Sequence, residues 1–436
     1  MKWKKNRGKK KLWYLFMCSL FVVVILFVKR VYTGEAMTEP SAAEIIRLSK
    51  IYQPGKYYDR NKIDVTDCEQ FKEVIQIDVE KTKNSKMTLA GVTPWTFGQD
   101  DNRFHLRELI CPWNRRVGED TLLTYDKDVQ VYINQLAKNS GYDDVLVVVS
   151  NWETGAIYAT LGEVYSETLH SGSTIKPILA AAVLTLQPEL KDYTYDCCED
   201  SHVFATEDGT YRIACSGNRY HGKLNMEKAM VKSCNGYFIS LLQQVPKEEL
   251  LKVLEKWGFD SVLSFEQFMF WDQTFLNGSE RESDYLMAAI GQGNVKITPF
   301  GLNVCTNALI NGKGEINEPF RILAKTMGID HKWKFIRPNK RYEFCDDSVA
   351  ESVRSMMLKV ASPKTGRNYA MEGFAAKTGT AQKGGNLNTV WTTGGLVSLE
   401  TPYSVTVCID NVSRDTSSSV AGEMAKEILT YMIGGK

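Results

Sequence analysis

A helix that must be buried on every side constrains a fold more than any other element. This chain carries one: Ile178-Leu179-Ala180-Ala181-Ala182-Val183-Leu184 has no polar face to turn toward water. Such a helix has to run through the middle of a domain. The residues just ahead of it, Ser173-Thr174-Ile175-Lys176, are of a different kind. Pro177 falls in the first turn, where its missing N–H leaves no bond unmade, so the helix is predicted to start close to Ser173. Residues three apart share one face of a helical turn. A neutral Lys176 amine can therefore take the Ser173 hydroxyl proton while the oxygen attacks a carbonyl.

Two further fragments follow in order, Ser233-Cys234-Asn235 and Lys377-Thr378-Gly379-Thr380. Each has a decoy: Ser216-Gly217-Asn218 also reads S-x-N, and Lys364-Thr365-Gly366 also reads K-T-G. Context separates them. Ser233 follows the helix-like Leu224–Met230 run, whereas Ser216 sits among loop residues. Lys377 follows Gly373-Phe374-Ala375-Ala376, which suits a short strand, whereas Lys364 follows Ser362-Pro363 and reads as a turn. The S-x-x-K pattern itself occurs once, at Ser173.

Charge is balanced overall, with 53 Lys and Arg against 52 Asp and Glu, so no nucleic-acid partner is indicated. It is unevenly placed, however. Lys2, Lys4, Lys5, Arg7, Lys9, Lys10 and Lys11 precede an apolar run from Leu12 to Val28, which Lys29-Arg30 closes. That run is long enough to cross a bilayer as a helix. The cations place residues 1–11 in the cytoplasm, the anchor at 12–28 and the rest outside. Lys29, Arg30, Val31 and Tyr32 offer no small-residue cleavage site, so the anchor is read as retained. Residues 31–117 show no sustained period and read as a stalk or pedestal. The domain that carries the chemistry is read over 118–436.

Within that domain, Thr121–Thr124 reads as a strand and Asp128–Ala137 as an amphipathic helix. Val145–Val149 and Ala156–Ala159 form a hairpin turning at Glu153-Thr154-Gly155. Leu396-Val397-Ser398 and Val405–Ile409 form another around Thr401-Pro402, and Val420 to Ile433 closes the chain as a helix. Strands at both ends with helices between predict an α+β fold: an antiparallel sheet flanked by helices, one of them buried.

The ten cysteines suit an oxidising compartment. Cys198 and Cys215 flank the turn Thr206–Thr210 and are expected to bridge across it. Cys305 and Cys408 read as buried free thiols, and Cys234 as a small space-filler. The five histidines (His105, His170, His202, His221, His331) show no metal-ligand spacing, so neither metal nor cofactor is expected. Gly291-Gln292-Gly293 reads as a turn near the site.

In the order S-x-x-K, S-x-N, K-T-G, the three fragments resemble the active-site set of penicillin-binding proteins and serine β-lactamases. From Thr121 onward the chain is similar to the transpeptidase domain of class B penicillin-binding proteins. The match includes Leu123-Thr124-Tyr125-Asp126, Ser171–Pro177, His221-Gly222, Ser233–Phe238, Ile290–Gly293 with Thr298-Pro299, and Ala376–Gln382. The resemblance implies a peptidoglycan D,D-transpeptidase that binds D-Ala-D-Ala stem peptides and is acylated by β-lactams. It implies Ser173 as nucleophile, Lys176 as base and Ser233 as proton relay. Asn235 would hold the substrate amide and Lys176, and Lys377, Thr378, Gly379 and Thr380 would hold the terminal carboxylate. Backbone N–H groups of Ser173 and Thr380 would form the oxyanion hole. The upstream segment is too short for a glycosyltransferase domain, so a membrane-embedded SEDS-type polymerase is the implied partner. D,D-carboxypeptidase, β-lactamase and β-lactam sensor stay open as alternatives. No Glu-x-x-x-Asn pattern follows Ser233, which counts against a class A β-lactamase.

Overall fold

The computed structural model describes residues 56–72, 74–75, 120–198, 201–215, 220–261, 263–265, 267–271, 273–327, 332–336, 338 and 340–434. The anchor read at 12–28, most of the stalk and the decoy Ser216-Gly217-Asn218 lie outside them. Among the described residues no helix is long and apolar enough to cross a membrane.

Val145–Asn151 (β3) is buried along its whole length, which a strand achieves only in the middle of a covered sheet. It pairs antiparallel with Ile157–Leu161 (β4) on one side and Tyr403–Ser413 (β17) on the other. Leu387–Leu396 (β16) and Phe374–Gln382 (β15) complete a five-stranded sheet in the order β15-β16-β17-β3-β4. β15 is therefore an edge strand.

The register sorts side chains by face. Trp391, Cys408 and Leu146 lie opposite one another across three strands, as do Thr392, Val407 and Val147. Val147, Val149, Val405 and Val407 join one core with helices Lys127–Asn139 (α1) and Ser419–Gly434 (α9), where the Tyr132 and Tyr431 rings stack at 4.0 Å. Leu146, Val148, Trp391 and Cys408 join a larger core on the other face.

Two buried helices occupy that larger core. Lys176–Leu186 (α2) is the one legible in sequence, and every residue from Lys176 to Leu184 is buried. Pro299–Ile310 (α7) is also buried at all its positions, although it contains Asn303, Thr306 and Asn307. Its polar groups meet polar groups of the sheet. Ser150 Oγ donates to Asn303 Oδ1 at 2.7 Å, Asn303 Nδ2 donates to Thr406 Oγ1 at 3.3 Å, and the Thr306 and Thr393 hydroxyls lie 2.8 Å apart. Three polar residues interrupt an otherwise apolar segment and blur its pattern, while the bonds of Asn303 and Thr306 to the sheet make them tolerable inside.

Five further helices surround the two: Met226–Lys232 (α3), Asn235–Leu242 (α4), Lys247–Lys256 (α5), Glu282–Ala288 (α6) and Asp347–Val360 (α8). Small ribbons decorate them: Thr194–Cys197 (β5) with Gly222–Asn225 (β8), Ser201–Thr206 (β6) with Gly209–Ala214 (β7), Leu263–Phe265 (β9) with Phe268–Trp271 (β10), and Glu315–Asn317 (β11) with Arg341–Glu343 (β14).

Residues 56–75 pack on this domain. Tyr57–Tyr58 (β1) pairs in parallel with Thr121–Leu123 (β2), in a sheet continued by Ile322–Met327 (β12) and Lys332–Phe335 (β13). Phe71 is buried with its ring against Tyr125, and Asp59 accepts from the backbone N–H of Lys127.

The cysteine expectation is corrected. Cys198 and Cys215 form no bridge; Cys198 is exposed and Cys215 buried. Neighbours in an extended chain point to opposite sides, so it is Cys197, at the end of β5, that faces inward.

Leu179 is fully buried in α2, whereas Leu399 is 66% exposed in a turn. Leu179→Ala is expected to lower stability by about 2–5 kcal/mol. Leu399→Ala should stay within about 0.5 kcal/mol of the parent. Denaturant midpoints at unchanged slope check both.

Candidate active site

The segment carrying Ser173 starts as a tight turn, with Gly172–Ile175 in a 3₁₀ helix that passes directly into α2. Three elements hold it. The Gly172 N–H donates to Gly291 O at 2.9 Å, and the indole of Trp391 donates to His170 O at 2.9 Å. From the third side, β15 presses against it at Gly379. A Cβ there would lie 2.9 Å from Ser171 O and from Thr174 N, and one on Gly172 would overlap Thr380 O. The backbones of that segment and of β15 thus run side by side. Gly291 has φ +72° and no room for any side chain, because Gly172 O fills the space. The turn read at 291–293 therefore lies directly against the segment carrying Ser173.

Ser233 sits between two helices. It caps the C-terminus of α3 in the left-handed region, φ +55° and ψ +39°, a conformation uncommon outside Gly and Asn. Cys234 then caps α4, its Sγ accepting from the N–H of Tyr237. Reversing the chain in one residue turns Ser233 and Asn235 back toward Lys176. Arg367, which follows the K-T-G decoy at 364–366, donates to Val231 O at 2.7 Å and Val360 O at 2.5 Å. It satisfies carbonyls at the ends of α3 and α8 that their helices leave unpaired. Nothing in the spacing of the sequence points to Arg367.

These elements bring the motif residues together. Lys176 Nζ lies 3.0 Å from Ser173 Oγ, 2.8 Å from Ser233 O, 3.4 Å from Ser233 Oγ and 2.8 Å from Asn235 Oδ1. Lys377 Nζ lies 3.0 Å from Ser233 Oγ and 2.6 Å from Thr378 O. The Asn235 amide donates to Ala214 O at 2.8 Å, which fixes its carbonyl toward the lysine. Ser173, Ser233, Thr378 and Thr380 remain partly exposed around this buried centre, and Gly379 is buried.

Both amines are buried and their partners are neutral oxygens. Burial disfavours the charged form. It brings Lys176 down to about 8, while the Cys234 and Cys215 thiols nearby push it the other way. Burial holds Lys377 well below the usual lysine range, with the positive charges of Lys176 and Arg367 adding to the effect.

A second cluster touches this site from behind. The Sγ atoms of Cys197, Cys215 and Cys234 and a ring nitrogen of His202 all lie within 4.8 Å of one another, and all four residues are buried. The thiol of Cys234, read as a space-filler, is thus part of a group. Its ligand types come from four elements spread over 38 positions, which is why no short spacing announced it.

The site can be set against known proteins. The model of the penicillin binding protein transpeptidase domain matches residues 145–430. Stage V sporulation protein D of Bacillus subtilis is 26% identical over 294 residues, covering 61% of this chain and 45% of that protein. The peptidoglycan D,D-transpeptidase MrdA of Acinetobacter baumannii is 26% identical over 223 residues, covering 48% and 32%. The chain therefore spans less than half the length of these two relatives. Among solved structures, PBPA from Mycobacterium tuberculosis superposes with a TM-score of 0.71 at 16% identity, covering 88% of this chain and 99% of that one. Its penicillin G acyl-enzyme complex gives 0.69 at 17%, covering 88% and 100%. At such identities the likeness is one of fold.

Gly291→Ala is expected to cost more than about 1 kcal/mol, because it combines positive φ with a clash against Gly172 O. Gly366→Ala shares the positive φ but meets open space, and should cost less. Thermal unfolding of the two variants side by side tests the ranking.

Proposed function

Since the chain belongs to the penicillin-binding protein transpeptidase family, we propose that it is a class B peptidoglycan D,D-transpeptidase working through an acyl-enzyme on Ser173. One observation carries this reading: a buried Lys176 amine within hydrogen-bond reach of Ser173, with Ser233 between it and Lys377.

The chemistry follows from those distances. The penultimate D-Ala carbonyl of a stem peptide is placed over Ser173, and the terminal carboxylate lies against Lys377, Thr378 and Thr380. Ser173 Oγ attacks, and its proton passes to Lys176 Nζ. The oxyanion is held by the backbone N–H groups of Ser173 and Thr380, whose segments run side by side. As the C–N bond breaks, the departing D-Ala amine takes a proton from Ser233 Oγ, which the lysines replenish. The amine of a neighbouring stem peptide then attacks the ester, and the same steps run in reverse. A β-lactam enters by the first step, but its leaving nitrogen stays tethered.

A neutral general base is what this path needs, and burial, by bringing the amine down to about 8, raises its neutral fraction far above that of a lysine in water. In water an amine with an ordinary lysine pKa is almost wholly protonated at neutral pH. A carboxylate beside Lys176 would favour the charged form; neutral oxygens do not.

The cell-surface setting is part of the proposal. The cationic tail and the apolar run support a single-pass anchor at 12–28 with the catalytic domain outside the plasma membrane. Glycan strands would be supplied by a membrane-embedded SEDS-type polymerase.

Labelled penicillin is expected to attach to Ser173 and to nothing in Ser173→Ala. Lys176→Ala should slow acylation by about 10²–10⁴-fold. An adduct mapped to Ser233 or Cys234 instead would overturn the assignment.

The pH dependence has a definite sign. Lys176 acts as base when deprotonated, so the acylation rate should climb about tenfold per unit below the amine's pKa and level off above pH of about 8. Stopped-flow acylation between mildly acidic and mildly alkaline pH measures it. A rate that falls with rising pH would exclude Lys176 as the base.

A further inference from the structure

We propose that Cys197, His202, Cys215 and Cys234 hold one zinc ion, which ties the β5–β8 and β6–β7 ribbons to the turn carrying Ser233 and Asn235.

Three of the six ligand–ligand distances match the edges of a tetrahedron, and the other three lie within 4.8 Å. With Zn–S near 2.3 Å and Zn–N near 2.0–2.1 Å, tetrahedral edges come to about 3.8 Å between sulfurs and about 3.5 Å between sulfur and nitrogen. Here the Cys215 and Cys234 sulfurs are 3.7 Å apart. His202 Nε2 is 3.5 Å from Cys197 Sγ and 3.7 Å from Cys215 Sγ. No thiol or imidazole need move far to admit an ion at the centre. Three thiolates and one imidazole, closed off from solvent, suit zinc and leave no open position, which is the pattern of a structural site.

The surroundings support ligation. The other ring nitrogen of His202, Nδ1, lies 2.8 Å from the Tyr195 hydroxyl, a contact that fixes the ring with Nε2 toward the sulfurs. Gly236 leaves the space that the ring occupies: a Cβ there would lie 2.5 Å from His202 Cδ2. His221 Nδ1 is 3.5 Å from Cys197 Sγ, outside the set but able to donate to a thiolate there. Binding displaces the thiol protons to solvent, so the ion gains affinity as pH rises.

The position gives the ion its role, and this part rests on the transpeptidase reading. Cys234 lies between Ser233 and Asn235, and Cys215 adjoins Ala214, whose carbonyl receives the Asn235 amide. One ion bonded to both cysteines would fix both ends of that hydrogen bond. Ser233 occupies a left-handed conformation that needs support from outside the turn.

The competing fate of these thiols is a Cys215–Cys234 disulfide. It would require the sulfurs to close from 3.7 Å to about 2.05 Å and an oxidant to accept two electrons. The experiment separates the two. The full chain, purified without chelator and supplied with zinc, is analysed for metal by mass spectrometry and for free thiols. The expected result is one zinc per chain, lost in Cys215→Ser and in His202→Ala and retained in Cys408→Ser, whose thiol is buried elsewhere. Cobalt exchanged into the unmodified chain should give thiolate charge-transfer bands and the intense visible bands of a tetrahedral site, which needs no variant to fold. Stripping the ion should reduce labelled-penicillin attachment by at least about tenfold, and zinc should restore it. Zinc well below one equivalent, octahedral cobalt, or a Cys215–Cys234 disulfide in the purified chain overturns the site. Unchanged acylation after complete removal overturns the positioning role. A zinc-loaded chain that never reacts with penicillin counts against the proposed reaction and leaves the site standing.

Discussion

An amine buried against neutral oxygens, with no carboxylate beside it among the described residues, is the constraint on which this domain turns. Lys176 is fully enclosed, and its contacts are a serine hydroxyl, a backbone carbonyl and an asparagine oxygen. Exposure to water would raise its pKa back toward the ordinary lysine range, and pairing with a carboxylate would raise it further. The surrounding architecture meets both conditions. An all-apolar helix carries the lysine into the core, and α7 shares that core, with Asn303 and Thr306 bonded to polar groups of the sheet. The left-handed residue at 233 then supplies oxygens without an acid.

How much of this was legible depends on whether the information was local. The hairpin at 145–161, the helix after Ser173, the strand at Lys377 and the closing helix each carry their own period or turn residues, and all could be read. The K-T-G motif could be told from its decoy because the flanks differ: Lys364 lies in a short 3₁₀ turn, as Ser362-Pro363 indicated. What could not be read was mutual satisfaction. Asn303 and Thr306 look like surface residues until Ser150 and Thr393 come from other strands to meet them. Arg367 looks like an ordinary loop cation until two helix ends converge on it.

The thiols show the same limit in sharper form. Cys197 and Cys198 are adjacent, and turn geometry alone made Cys198 as plausible a bridge partner as any. Burial decides between them, and burial depends on which side of β5 faces α4. The helix carrying Asn235 also carries Gly236, whose lack of a side chain admits His202. Residues 234–236 therefore set side by side a thiol of the cluster, the amide that reaches Lys176 and the space that His202 fills.

The sheet order has one more implication. β15 ends the sheet, paired with β16 on one side and bordered by the 3₁₀ segment on the other over only part of its length. An unpaired strand edge is a template for any extended chain, including another copy of the same protein. A peptide laid along Thr378–Gln382 would complete the row of peptide hydrogen bonds and remove that template. Occupancy by an extended peptide and resistance to self-association would then be two readouts of the same backbone atoms.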